Sequence, residues 1–235
     1  MQPQFERSAM LMGEDALDVL ATKTVAIFGL GGVGGNAADA LARAGVGHLV
    51  LVDDDVVGVS NVNRQLVATL DTVGQAKVDV MARHIMSVNP AAEVVKHKAF
   101  YLPETAADFD FAAYDYVVDA VDTVAAKIDL AVRCHATATP LISAMGCGNK
   151  LDPTQLRVCD LFATAGDPLA KVMRHELRAR GIESLKVVYS TEAPHTPLWQ
   201  PADSPTRRAT PGSTPFVPPV AGILLAAEVV KDLLA

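Results

Sequence analysis

The chain has 235 residues, half of them hydrophobic, with 27 acidic against 20 basic side chains and a net charge of −7. That balance argues against a protein that grips nucleic acid by overall charge, and no apolar run reaches the ~20 residues of a membrane span. Met1 to Leu20 lacks a charged-then-apolar leader, and Cys134, Cys147 and Cys159 show no pairing pattern, so a cytoplasmic location is expected.

The elements, taken in chain order, alternate. Glu14 to Thr22 reads as a helix. Thr24 to Leu30 is a β-branched apolar run, with the strand itself near Val25 to Leu30, and it meets Gly29, Gly31 and Gly34 at G-x-G-x-x-G spacing. Ala37 to Ala44 then turns helical, which places backbone N–H groups of a helix start where phosphate oxygens can approach. Gly32 and Gly35 widen that turn. Leu49 to Val52 is the next strand, and Asp53, first past it, is placed to accept ribose hydroxyls. Up to this point NAD, FAD and ATP all fit.

Asn61, Asn63, Arg64 and Gln65 follow in a polar stretch, and Lys77 opens a helical pattern through Ser87. A triphosphate attacked at phosphorus needs cations on several oxygens, whereas a dinucleotide does not. Arg64 and Lys77 can supply them. Strands are expected at Glu93 to Ala99, Tyr116 to Ala120 and Pro140 to Ala144, with helices between, so the connections should be right-handed and parallel. The second of these runs into DAVDTVAAK, which sets Asp119 and Asp122 at the carboxyl edge of the sheet, where Mg²⁺ on phosphates would want carboxylates. Asp122 could equally cap the helix that begins at Val124.

Cys147 lies in the glycine-rich AMGCGNK, either as a nucleophile or, more simply, as a small packed residue. Past LDPTQ, Leu156 to Asp160 and Val187 to Thr191 read as antiparallel strands flanking a helix from Asp167 to Arg180. Lys171, Arg174 and Arg178 form one basic stripe on that helix, which is either a solvated face or a phosphate-contacting surface. Ala193 to Pro219 holds eight of the fourteen prolines and is expected to be an extended, mobile crossover. A closing helix, Val220 to Leu234, packs back on the sheet. The whole, 1–235, is expected to be one Rossmann-like doubly wound α/β domain, mostly parallel with antiparallel C-terminal strands.

GLGGVGG, LVDDD, SNVNRQ, VGQAK and DAVDTVAAK, in this order and spacing, resemble the ThiF-type adenylyltransferase family of ubiquitin-activating enzymes and their bacterial relatives that activate sulfur-carrier proteins. QFERSAMLMG, NKLDPTQLRVCDL, DPLAKVMRHELRARGI and the C-terminal TPGSTPFVPPVAGILLAAEVVKDLL bring the likeness closest to the branch of tRNA threonylcarbamoyladenosine dehydratases. The resemblance implies that Gly29, Gly31, Gly32, Gly34, Asp53, Asn61, Arg64 and Lys77 surround ATP, with Asp122 on Mg²⁺. It implies a homodimer in which Arg7 reaches the nucleotide of the other subunit, and a tRNA partner carrying threonylcarbamoyladenosine, which turns the reading of the Lys171, Arg174 and Arg178 stripe from a solvated face to a tRNA-binding surface. The implied reaction is ATP-dependent closure of that nucleoside into a ring, by activation of its carboxylate beside the anticodon. A monovalent cation and sulfur-transfer partner proteins stay open.

The alternative is an adenylyltransferase acting on the C-terminal glycine of a ubiquitin-like or sulfur-carrier protein. Sulfur-carrier activators typically hold zinc between two C-x-x-C pairs, and this sequence has none. Its histidines 84, 97, 135, 175 and 195 show no metal-ligand spacing either.

Overall fold

Short runs rich in Val, Ile and Leu make the strands of the computed structural model, which describes residues 2–200 and 210–235. They are β1 (Thr24–Phe28), β2 (His48–Val52), β3 (Glu93–His97), β4 (Tyr116–Asp119), β5 (Leu141–Ala144), β6 (Leu156–Asp160) and β7 (Lys186–Ser190). One seven-stranded sheet holds them in the order β3-β2-β1-β4-β5-β7-β6. Every neighbouring pair is parallel except β6 with β7. The expected antiparallel C-terminal pair is there, but β7 itself lies parallel to β5, so the reversal is confined to β6 at the edge.

Residues alternate between two cores with the period of two that a pleated strand imposes. Val25, Ile27, Leu49, Leu51 and Val118 face α3 (Gly34–Ala44), α4 (Lys77–Val88) and α7 (Val217–Leu233). Ala26, Phe28, Val50, Val52 and Val117 face α5 (Val124–Thr137) and an aromatic group of Tyr101, Phe109 and Phe111 gathered around Phe28. A third cluster joins β7 to α6 (Pro168–Arg178) through Val187, Met173 and Leu177. Since α3 follows β1 onto one face and α5 follows β4 onto the other, the chain opens a crevice between β1 and β4, the switch point of a doubly wound sheet.

Three boundaries differ from expectation for local reasons. α1 (Glu6–Met12) precedes α2 (Glu14–Ala21), and the two are broken at Gly13, whose φ of 89° no helix continues; seven residues carry too little periodicity to show in sequence. α7 starts at Val217 rather than Val220, because Pro218 and Pro219 sit in its first turn, where a missing N–H goes unnoticed. β1 stops at Phe28, where Gly29 turns the chain. Of the proline-rich crossover, 201–209 lies outside the described residues, while its two described ends meet at Asn149. There the Asn149 carbonyl accepts from His195 N at 2.7 Å and Asn149 Oδ1 accepts from Gly212 N at 2.6 Å. Among the described residues no helix is long and apolar enough to cross a membrane.

Candidate functional site

The crevice between β1 and β4 is a cleft of about 560 Å³. Gly29, Gly31, Gly32, Asp53, Asn61, Arg64, Lys77 and Asp122 all line it. Gly34 lies beneath, as the first residue of α3.

Two glycines are required by the backbone. Gly29 has φ of 88°, and a Cβ there would come within 2.7 Å of the Ala120 carbonyl oxygen. At Gly34 a Cβ would fall 1.8 Å from the Gly29 carbonyl oxygen, so only glycine lets α3 begin directly behind the turn. Gly31 is the opposite case, with open space on its cleft side out to Gln65.

Asp53 fixes the turn from the neighbouring strand. Its Oδ2 accepts from Leu30 N at 2.6 Å and its Oδ1 from Asp55 N at 2.9 Å. Burial holds its pKa above the usual carboxylate range, opposed by the charge of Lys77 and by those two N–H groups. Each oxygen keeps a lone pair for a ribose hydroxyl.

Lys77 occupies the first position of α4 and is buried. A cation at a helix N-terminus opposes the macrodipole, and here two carboxylates offset it: Nζ donates to Asp55 Oδ2 at 2.6 Å and lies 3.7 Å from Asp53 Oδ1. Arg64 lines the cleft from the polar stretch. Its guanidinium donates to Ser60 O and Asn63 Oδ1, each at 2.9 Å, and burial lowers its pKa. Asn61 Oδ1 accepts from Gly58 N at 3.0 Å.

The two aspartates after β4 part company. Asp119, expected beside Asp122 as a metal-facing carboxylate, is instead wholly buried. Its oxygens each accept from Lys127 Nζ at 3.0 Å, while Oδ1 also takes Val121 N at 3.2 Å and Oδ2 takes the Ser143 hydroxyl. Four hydrogen bonds from three donors use up its lone pairs, so it forms a structural ion pair with Lys127. Asp122 is exposed at the cleft wall and does not cap α5, whose N-cap is Thr123 without a side-chain cap. One exposed carboxylate fits Mg²⁺ carried mainly by phosphate oxygens; no cluster of three or more His, Cys, Asp or Glu able to hold a metal exists among the described residues.

Cys147 also lines the cleft, but it is buried and its thiol is pushed up to about 11 by that burial. A thiol so placed is not ionised near neutrality, which agrees with a packing role. Arg7 is exposed on α1, lies outside this chain's cleft and makes no hydrogen bond or ion pair among the described residues. On α6, Lys171 is exposed, Arg174 donates to the Thr164 carbonyl at 3.0 Å and to its hydroxyl, and the Arg178 guanidinium lies 5.2 Å from the Phe162 ring centre. The stripe exists, though its two arginines also hold the segment 162–164. Asp55, Gln65 and Lys127 are among the cleft residues that the sequence quoted within its motifs without assigning them a place.

The ThiF family model matches residues 5–235. The chain belongs to the ThiF family. Within it, the chain is 45% identical to the tRNA threonylcarbamoyladenosine dehydratase of Bacillus subtilis, over 100% of this chain and 96% of that protein. Crystal structures of the Escherichia coli tRNA N6-threonylcarbamoyladenosine dehydratase with AMP and with ATP superpose with a TM-score of 0.89 at 36% identity, covering 98% of this chain and 94% and 93% of those chains. The Escherichia coli sulfur carrier protein ThiS adenylyltransferase is 37% identical, but over 60% of this chain and 58% of that protein. The likeness to the dehydratases therefore extends past the ThiF cradle to the C-terminal half, where β6, α6 and β7 lie.

Proposed function

We propose that the chain is an ATP-dependent tRNA threonylcarbamoyladenosine dehydratase. The observation that carries this reading is one cleft that brings together a glycine turn, the cations Arg64 and Lys77 and the exposed carboxylate of Asp122, with its one thiol, Cys147, pushed up to about 11 by burial. Its relatives along nearly the full length are dehydratases of that name.

A free carboxylate does not lose an oxygen at a useful rate. One carboxylate oxygen bonds to a phosphorus of ATP as a P–O bond of ATP breaks and expels ADP or pyrophosphate, and that oxygen then departs with the phosphate or AMP when the carbonyl carbon is attacked by a nitrogen of the same nucleoside. The nitrogen gives up a proton, the ring closes, and the net change is loss of one water. Proximity within one nucleotide replaces a second substrate, so no thioester cysteine is needed.

The residues' work follows from their placement. The N–H groups of the glycine turn and the α3 dipole receive the phosphates, and Asp53 accepts from the ribose. Arg64 and Lys77, both lining the cleft, stabilise the charge that develops on the phosphate oxygens. Asn61 orients the ribose–phosphate from above, and Asp122 would hold Mg²⁺ against the phosphates. Pairing of two chains would let Arg7 complete the partner's cleft, and Lys171, Arg174 and Arg178 would meet tRNA phosphates next to α6, whose Leu169 already borders the cleft. A cytoplasmic location goes with this substrate and with the three free cysteines.

The test compares two stimulants of ATP consumption. tRNA bearing threonylcarbamoyladenosine should raise it, and a carrier protein ending in Gly-Gly should not; the reverse would move the chain to the carrier-activating branch.

A further inference from the structure

Gln65 follows Arg64 directly, yet nothing in the fold uses its side chain. It is only 8% exposed, its Oε1 is buried without a hydrogen bond, and no described residue partners its Nε2. Its backbone, by contrast, is fixed: Gln65 N donates to Asn61 O at 2.9 Å, and its carbonyl accepts from Ala68 N at 3.0 Å. The amide is therefore held in place, at the wall of the cleft, with Nε2 3.9 Å from where a side chain on Gly31 would begin.

Burying an amide with no partner is costly, and an apolar side chain of the same length would fill the wall without that cost. Of its two ends, Oε1 is turned into the wall and Nε2 faces the space over Gly31, so what the amide offers a ligand in the cleft is a donor without a partner in the fold. The neighbourhood narrows the choice: Gly31 leaves its space open on this side, and Arg64 and Lys77 make the cleft attractive to anions.

We propose that Gln65 is a further nucleotide-binding residue, whose amide donates to a phosphate oxygen seated over Gly31. This rests on the ATP reading above. Nε2 is already the end of the amide that faces Gly31, so its N–H₂ meets the phosphate without a change of rotamer. A neutral donor adds a directional bond without a third positive charge beside Arg64 and Lys77. It also makes the site intolerant of a carboxylate at this position, a requirement that a wall-filling residue would not have.

Two near-isosteric variants test it, Gln65→Met and Gln65→Glu, each examined by thermal unfolding without nucleotide and by calorimetric titration with Mg²⁺-ATP. Loss of a hydrogen bond to a charged group predicts ATP binding roughly 10- to 100-fold weaker for Gln65→Met, with an unfolding temperature no lower than that of the parent protein. Gln65→Glu should bind more weakly still. A Gln65→Met protein that binds ATP as the parent does overturns the proposal, and so does one that loses stability and affinity together, since the amide would then be holding the wall rather than the ligand. Failure of the unmodified protein to bind ATP overturns the ATP reading itself, whereas its binding alongside unchanged variants overturns the assignment of Gln65 alone.

Discussion

Lys77 donates to Asp55 at 2.6 Å while standing 3.7 Å from Asp53, so the buried ammonium of the cleft is held chiefly by the exposed one of the two carboxylates. Asp55 is exposed and can turn to solvent, whereas Asp53 is held by Leu30 and Asp55 N–H groups. The two acids thus differ in what they hold: Asp53 fixes the turn and Asp55 neutralises the ammonium, and on the proposed function a phosphate would replace Asp55 there.

Asp55→Asn should accordingly tighten ATP binding by about two- to fivefold, the scale of an exposed ion pair, because the phosphates no longer displace a competing anion. Lys77→Met should weaken binding on the order of 100-fold, by loss of a charge-assisted contact in a buried setting. Calorimetric titration checks both, and weaker binding in Asp55→Asn would show that Asp55 belongs to the ATP site instead of competing with it.

The exposed, unpartnered position of Arg7 on α1 makes a subunit-mixing experiment decisive. On the proposed pairing of two chains, Arg7→Ala and Lys77→Ala homodimers should each be inactive. Free exchange makes half the dimers mixed, and each mixed dimer has one doubly damaged and one intact cleft, so about a quarter of the parent activity should return under two-fold symmetry. No recovery, once exchange is verified by native mass spectrometry, would place Arg7 outside the partner's cleft.

On α6 the structure separates side chains that spacing alone had grouped. Arg174 secures Thr164 and Arg178 covers Phe162, so both have work within the chain, while Lys171 is exposed. Lys171→Ala should leave the unfolding temperature unchanged and lower the salt slope of tRNA binding by about 0.7 to 0.9, as for one lost phosphate contact. Binding titrations at several salt concentrations read this directly. An unchanged slope would make the stripe a solvated face.

The far end of the sheet carries a separate prediction about acid stability. Asp232 accepts from Tyr116 Oη and Lys186 Nζ, each at 2.7 Å, tying α7 to β4 and β7. Burial alone would raise its pKa, but the hydrogen bonds from Lys186 and Tyr116 and the Lys186 charge outweigh burial and leave it below its ordinary 3.8. A depressed carboxylate stabilises the fold above its unfolded value and loses that contribution as pH falls through the folded one. Asp232→Asn should therefore cost about 1 kcal/mol at pH 7, since the site is partly open to solvent, and the gap to the parent should close below pH ~4. Denaturant unfolding across that range measures it, and a gap independent of pH would mean that packing, not charge, is lost.

Much of the cradle was legible because its parts are local. A strand, a glycine turn and a helix start within Thr24 to Ala44 leave a spacing that the backbone enforces at Gly29 and Gly34, and the first acid past β2 follows from strand geometry. Asp119 was misjudged for the converse reason. Its partner Lys127 sits a helix turn away across a loop and Ser143 lies on another strand, so only the folded sheet shows that this carboxylate is already saturated. Gln65 went unassigned because an unmet hydrogen bond is a property of surroundings and has no spacing to recognise. The start of α7 was misplaced because prolines signal loops when counted and a helix's first turn when positioned.

The account stands most directly on what becomes of the nucleoside. Purified protein incubated with Mg²⁺-ATP and tRNA bearing threonylcarbamoyladenosine, followed by digestion under mild conditions and mass spectrometry of the nucleosides, should show that nucleoside replaced by one lighter by a single water, in amounts that track ATP consumed. An unaltered nucleoside in the presence of an enzyme that binds and consumes ATP would contradict the account, and formation of a carrier adenylate in its place would assign this cleft to the other branch of its family.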